Sequence, residues 1–431
     1  MKDRETVAQK RSRWSWYFYD FGNSAYASVI LLAVYSTFFK NVVVGGAEGI
    51  RLWGLSVGIA AVLVALVSPV LGAISDVTKF KKKFLLGFTS LAIVFTAMLF
   101  FVKAGDVFTG MLFFILAEIG YRGAQVFYDA LLSDISTPET VGAISGKGWA
   151  MGMVGGIISL LIVLLPIQLI GDHMIPYAFL VTAVFFLISS IPTYIWVKEK
   201  DPIGELPRNK RLTAVAFRKI IDTFLSIKSY KEFIKYMVAF LIYNDGIMML
   251  MDFAAIIGAT LYGLDQVQLI IFVIIIQFAG AIGALFFGKI ADKISGKQAT
   301  LYSLIILSLS ICALFFITDL TGFFIVGFFA GFSLSGAQAV SRSMVVQLAP
   351  ADKLTEFYGF LSVAGRTSTF VGPLVFGTLT FRMNNWYVNH GFGIAEAEVL
   401  GLMWGIGSII AFLVIGGVLL LFVKRVTPGK K

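Results

Sequence analysis

The sequence predicts an all-α integral membrane protein: twelve transmembrane helices in two pseudo-symmetric halves of six. Three observations carry this reading. The 431 residues are 58% hydrophobic and only 14% charged, against about half apolar and a quarter charged in ordinary soluble domains. Apolar runs long enough to cross a bilayer, about 20 residues each, recur twelve times. Short motifs also repeat between the first and second halves at a nearly constant offset.

The first run follows Lys2, Arg4, Lys10, Arg11 and Arg13. It extends for roughly two dozen residues, too many for the apolar core of a cleavable signal peptide, so it is read as a retained span. The runs place spans 1 to 6 near 16–39, 52–75, 84–103, 107–131, 144–170 and 174–197. Spans 7 to 12 fall near 233–260, 265–289, 299–318, 321–345, 356–381 and 398–423. The segments are thus 1–198 and 233–431, six helices each, with a central polar stretch at 199–232. Within that stretch, "FRKIIDTFLSI" has the pattern of an amphipathic interfacial helix, but the stretch is read in the first place as a linker between the two halves.

Positive charge sets the orientation. With the N-terminus inside, 27 of the 35 Lys and Arg residues fall on the inner side. Only Lys40, Arg51, Lys103 and Arg382 fall in outer loops. Both termini are therefore expected in the cytoplasm, with the chain in a bacterial inner membrane. The net charge of +10 is accounted for by topology, so no nucleic-acid partner is expected. One cysteine, Cys312, and two histidines, His173 and His390, provide no disulfide framework and no metal-site spacing. No nucleophile–base set or nucleotide-binding loop is present, so neither an enzyme nor a cofactor is expected. A sensor reading fares no better, because every loop but one is short.

Span 2 runs into "GAISDVTKFKKK" and span 8 into "GKIADKISGKQ". Each has Gly, three residues, Asp and then basic residues: Gly72 and Asp76, Gly288 and Asp292. "GAQ" ends at Gln125 in span 4 and at Gln338 in span 10, 213 residues apart; Gly146 with Gly359 and Gly152 with Gly365 keep the same offset. With its basic central stretch, this pattern resembles the major facilitator superfamily, over nearly the whole chain. The stretches "WYFYDFGNSAYAS" and "VFYDALLSDIS" resemble, more narrowly, its Atg22-like branch of vacuolar amino-acid effluxers and bacterial permeases. The chain departs from the superfamily loop at Lys79, where Gly is usual, and from the branch at Asp129, where Asn is usual. The resemblance implies gating roles for Gly72, Asp76, Gly288 and Asp292, transport by alternating access, a monomer, and an amino acid as cargo.

Ionisable residues within spans are costly and mark functional candidates. In span 4, Glu118, Arg122, Gln125 and Asp129 are spaced 4, 3 and 4, one polar stripe on a helix. Glu118 and Arg122 are i, i+4 partners. The stripe is read as the wall of a wet cavity, against the alternative of a dry structural pair. The superfamily resemblance gives Arg122 a role in coupling or substrate contact. In span 1, Asp20 is followed at i+3 and i+4 by Asn23 and Ser24. Asp20 is read either as a site residue or as an interfacial cap among belt aromatics. Span 7 carries Asn244, Asp245 and Asp252. Seven residues separate the two acids, which share a face, and burial disfavours their charged form, so either can carry a coupling proton. Pairing with Arg366 in span 11 is the alternative. Gly148, Gly152 and Gly156 form a small-residue ridge for close helix packing. The expected cargo is a small polar or zwitterionic solute, with a drug or lipid-like amphiphile as the alternative.

Overall fold

The computed structural model describes residues 6–77, 80–136, 141–199, 230–348, 365 and 370–424. Among these, eleven helices are long and apolar enough to cross a membrane. They fall on predicted spans 1 to 10 and 12. The first part of span 11 lies outside the described residues. Its described part is the helix Val371–Asn389, which runs past the expected end at 381 and takes Arg382 out of its expected loop. The side chains of Asp76 and Asp292, and all of Gly359 and Arg366, also lie outside the described set.

Span 1 departs most from expectation. It is neither one regular helix nor confined to 16–39. An α-helix runs over Val7–Ala25, capped by Thr6 in a reciprocal box with Gln9: Gln9 N–H donates to Thr6 Oγ1 (3.2 Å) and Thr6 N–H to Gln9 Oε1 (2.9 Å). A π-helix follows over Tyr26–Ala33. After a break at Val34 (φ −117°, ψ −59°) come a short α-turn, Tyr35–Phe38, and a second π stretch, Phe39–Val44, ended by Gly45 at φ +93°. Runs of π-helix this long are rare, and π turns concentrate at functional sites. Gln266 of span 8 covers the break: its Nε2 donates to the Ala33 carbonyl at 2.6 Å, and Thr37 Oγ1 donates to its Oε1 at 3.2 Å. Lys40, expected in an outer loop, is buried in the second π stretch and paired with Glu398 at 2.5 Å. The counter-charge from span 12 offsets the cost of burying it.

By its contacts the chain divides into two compact units, Met1–Leu31 with Leu63–Asp222, and Leu32–Val62 with Thr223–Lys431. In the first, backbone approaches backbone wherever glycine removes the side chain. A Cβ on Gly155 of span 5 would stand 2.0 Å from the Phe21 carbonyl oxygen of span 1, and one on Gly120 of span 4 would stand 2.3 Å from Ala92 N of span 3. Gly148 and Gly152 of the expected ridge face span 1, and Gly155 makes a further close approach to it. Lys82, at the start of span 3, donates to the Tyr194 and Val197 carbonyls that end span 6, both at 2.7 Å. The Glu199 carboxylate caps span 3 by accepting from the N–H groups of Lys81 (3.1 Å) and Lys82 (3.0 Å).

The second unit repeats these devices. Lys297, at the start of span 9, donates to the Leu421 and Val423 carbonyls that end span 12, at 2.8 and 2.5 Å. Such lysines satisfy last-turn carbonyls and the helix dipole together. Trp16 Nε1 of span 1 donates to the Tyr128 carbonyl of span 4 at 2.9 Å. Tyr236 of span 7 makes the matching bond to the Ser341 carbonyl of span 10, also 2.9 Å. Tyr128 and Ser341 lie 213 positions apart, the offset of the sequence repeat.

Candidate functional site

In the first unit the polar residues of spans 1 and 4 form one cluster. Asp20 lies thirteen residues after Val7, about 20 Å along the helix, and Thr6, not Asp20, is the cap. Asp20 therefore does not cap this helix. The side chain is half-buried beside Ser24 and faces the bare edge of span 5: a Cβ on Gly152 would meet Asp20 Oδ2 at 3.0 Å and Ser24 Oγ at 2.7 Å. Asn23 is buried, and its Oδ1 has no hydrogen-bond partner among the described residues.

Glu118 is 0% and Arg122 8% exposed. Arg122 Nε donates to Glu118 Oε1, the pair the spacing predicted. Removing one member of such a pair costs about 3–5 kcal/mol, because the other charge is left buried. The second oxygen, Glu118 Oε2, has no partner within the geometric limits of a hydrogen bond among the described residues. Tyr26, the first residue of the π stretch, is stacked on Tyr121 (4.6 Å, 24°). Its ring is fully buried, and its hydroxyl lies beside Glu118. Gln125 and Asp129 continue the stripe, half-buried. An aromatic stack of Trp16, Tyr128 and Tyr19 (4.3 Å and 5.0 Å between neighbouring rings) walls the same face.

In the second unit, span 7 holds the counterpart. Asn244 is fully committed: Oδ1 accepts from Gln338 Nε2 at 2.9 Å, and Nδ2 donates to the Gly365 carbonyl at 3.1 Å. Asp245 and Asp252 are both buried. Asp245 borders span 11, where a Cβ on Gly372 would stand 3.2 Å from its Oδ1. The Asp252 backbone carbonyl accepts from Trp53 Nε1 at 2.8 Å. Gly72 and Gly288, at matching points of the repeat, both face open space. The sequence reading missed Tyr26, Gln266, Trp53 and the Lys40–Glu398 pair. Their roles depend on partners far along the chain.

The family model described as "Vacuole effluxer Atg22 like" matches residues 53–393. The chain belongs to the Atg22-like family. An uncharacterised MFS-type transporter of Bacillus subtilis, YxiO, is 29% identical over 84% of this chain and 86% of its own length. Autophagy-related protein 22 of Yarrowia lipolytica is 24% identical over 58% of this chain and 47% of its own. Among solved structures, a bacterial homologue of the human lysosomal transporter Spinster, inward-facing and unoccupied, superposes with TM-score 0.69 at 13% identity, covering 98% and 97% of the two chains. The nucleoside transporter NupG gives TM-score 0.69 at 11% identity over 97% and 100%. The fold of this Atg22-like protein is thus the major facilitator fold. The protein is a multi-pass membrane protein, and its relatives are transporters, not enzymes.

Proposed function

We propose that this Atg22-like protein is a secondary transporter that moves a small zwitterionic solute, with an amino acid as leading cargo, by proton-linked alternating access. The buried Glu118–Arg122 pair carries the reading. Arg122 offers a planar, permanently charged fork suited to a carboxylate, held by Glu118 until an anionic substrate group competes for it. Asp20, Asn23 and Gln125 supply neighbouring polar contacts, and Asn244, Asp245, Asp252, Gln338 and Arg366 furnish the corresponding set in the second half. The family description as effluxer supports export over uptake. Gly72, Asp76, Gly288 and Asp292 are assigned to gating. The two halves, 1–198 and 233–431, are joined by 199–232, with both termini in the cytoplasm and the monomer in a bacterial inner membrane.

The test is thermal stabilisation of the purified protein across a panel of amino acids, other metabolites and apolar drugs. Stabilisation by amino acids, weakened more than tenfold (about 1.4 kcal/mol) by Arg122→Lys but not by Arg382→Lys, supports the reading. Stabilisation by apolar compounds alone, untouched by Arg122→Lys, overturns it. Single cysteines at 118, 122 and 125 in a Cys312→Ser background add a second check. If none reacts with a water-soluble thiol reagent in any state, the stripe is a dry structural pair.

A further inference from the structure

Asn23 is 2% exposed, and its Oδ1 has no hydrogen-bond partner among the described residues. Buried polar side chains in native proteins are nearly always paired, so an open one calls for an explanation. Its place on span 1 is well defined. Asn23 follows Asp20 by three residues and precedes Tyr26 by three, so it lies about 60° round the helix from each, on the side between them. Asp20 marks the contact with span 5, where a Cβ on Gly152 would meet its Oδ2 at 3.0 Å and Ser24 Oγ at 2.7 Å. Tyr26 marks the contact with span 4, where its ring stacks on Tyr121 at 4.6 Å. The amide therefore belongs to the wedge between spans 4 and 5, on the side where Tyr121 is followed by Arg122.

Asn23 also stands near the middle of the 38-residue span Val7–Val44. It sits in the last α-helical turn before the chain changes to π-helix, and the Tyr26 N–H closes on its carbonyl. Interrupted helices at mid-membrane are where transporters place their cargo sites, and π turns concentrate at functional sites.

The atom left open decides what can fill it. An amide oxygen only accepts, so its partner must carry an N–H or O–H, and a carboxylate cannot serve. Span 7, the repeat-related helix, shows such an oxygen closed from within the protein: Asn244 Oδ1 accepts from Gln338 Nε2 at 2.9 Å. We propose that Asn23 Oδ1 is the acceptor for the ammonium group of a zwitterionic cargo, the end of the molecule that Arg122 does not hold. The assignment rests on the amino-acid reading above and adds which helix takes which end. Span 4 takes the carboxylate through the Arg122 fork, and span 1 takes the N–H donors through Asn23. A cationic donor gives the stronger, charge-assisted bond. The result is a specificity that Arg122 alone does not provide. A carboxylic acid without an amino group satisfies Arg122 and leaves Oδ1 open, and a site built to bond a substrate N–H rejects an analogue that lacks it. A betaine is the sharper case, because its trimethylammonium keeps the positive charge but has no N–H.

The test separates donor from charge. Purified full-length protein in lipid is titrated with the standard L-amino acids, and the strongest binder is compared with its deaminated acid and its N,N,N-trimethyl betaine. The wild type should prefer the amino acid over each analogue by at least about tenfold. Asn23→Leu keeps the side chain's shape without an acceptor, and there the amino acid should fall to within about threefold of both analogues. Asn23→Asp keeps an acceptor and should retain the preference. Arg122→Lys should weaken the amino acid and the deaminated acid alike, leaving their ratio unchanged. An unchanged preference in folded Asn23→Leu overturns the assignment and leaves the oxygen to ordered water. If Asn23→Leu does not fold, Asn23→Ala reads the same ratio. Thermal stabilisation by sodium without cargo, absent in N-methylglucamine buffer and abolished by Asn23→Leu, gives the oxygen to a metal ion and also overturns the assignment. Binding of no amino acid sinks the cargo reading and this assignment with it. Amino-acid binding that needs Arg122 but ignores Asn23 sinks this assignment alone.

Discussion

Gly155→Ala tests the closest helix contact around the polar cluster. The new methyl would stand 2.0 Å from the Phe21 carbonyl oxygen and 2.6 Å from the carbonyl carbon. Ordinary contact begins at 3.4 Å, so spans 1 and 5 must part by roughly 1.4 Å along that line, the difference between that limit and the oxygen distance. Both clashing atoms are backbone, so no rotamer change relieves them. Overpacking of this kind costs about 1–3 kcal/mol. Alanine also regains up to about 1 kcal/mol of helix propensity over glycine, which would blur a comparison with wild type alone. Gly146→Ala in the same helix removes that ambiguity, because a Cβ there meets nothing within 4 Å. The propensity gain is common to both variants, so their difference isolates the clash at about 1–3 kcal/mol. Thermal unfolding of the purified variants, followed by fluorescence, is expected to rank Gly146→Ala at or above wild type and Gly155→Ala below it. The displacement also moves the turn that carries Asp20 and Asn23, so Gly155→Ala should lose transport beyond its loss of stability. Equal midpoints for the two alanine variants would show that the spans are not in contact at Phe21, and the packing argument would fail.

Two other predictions concern charge at helix ends. Lys40→Met should destabilise by about 3 kcal/mol or more, because it strands Glu398 in a largely dry setting, whereas adding Glu398→Met should recover most of the loss. A double-mutant cycle without coupling between the two sites would show that the ion pair contributes nothing. Lys82→Met and Lys297→Met each leave two terminal carbonyls without their donor, at about 1–3 kcal/mol. Chemical unfolding should give losses of similar size for both, and a large loss in one with none in the other would break the structural equivalence of the two lysines.

Much of the scaffold was legible because the physics behind it is local. Span lengths follow from bilayer thickness, and the Glu118–Arg122 pair follows from a four-residue spacing on one helix. The misses share one cause, a dependence on partners remote in sequence. That Gly155 meets the Phe21 carbonyl depends on helix rotation, about 100° per residue, which only the neighbouring helix decides. Lys40 ends an apolar run, where a lysine ordinarily extends to the membrane surface, and only Glu398, 358 residues later, makes its burial tolerable. The π stretch was invisible for a related reason. A pattern search built on 3.6 residues per turn treats an aromatic-rich segment such as Tyr26–Ala33 as ordinary helix, and the break at Val34 is covered by Gln266 from another span.

The repeat also shows where the halves have diverged. Lys82 and Lys297 do the same work at matching helix starts, and the Tyr128 and Ser341 carbonyls accept matching bonds at the repeat offset. Scaffold contacts of this kind tolerate no slack, because each buried carbonyl must find a donor. The amides of the repeat-related spans 1 and 7 differ. Asn244 is held at both ends, by Gln338 and by the Gly365 carbonyl, whereas Asn23 keeps a buried Oδ1 with no partner among the described residues although Gln125, the repeat counterpart of Gln338, is present on span 4. A closed amide network rigidifies a helix pair. An open one is costly and persists only where something else completes it. Among the described residues the first half therefore keeps a buried amide oxygen open at Asn23, and the Asn244 network of the second half has the character of a fixed support.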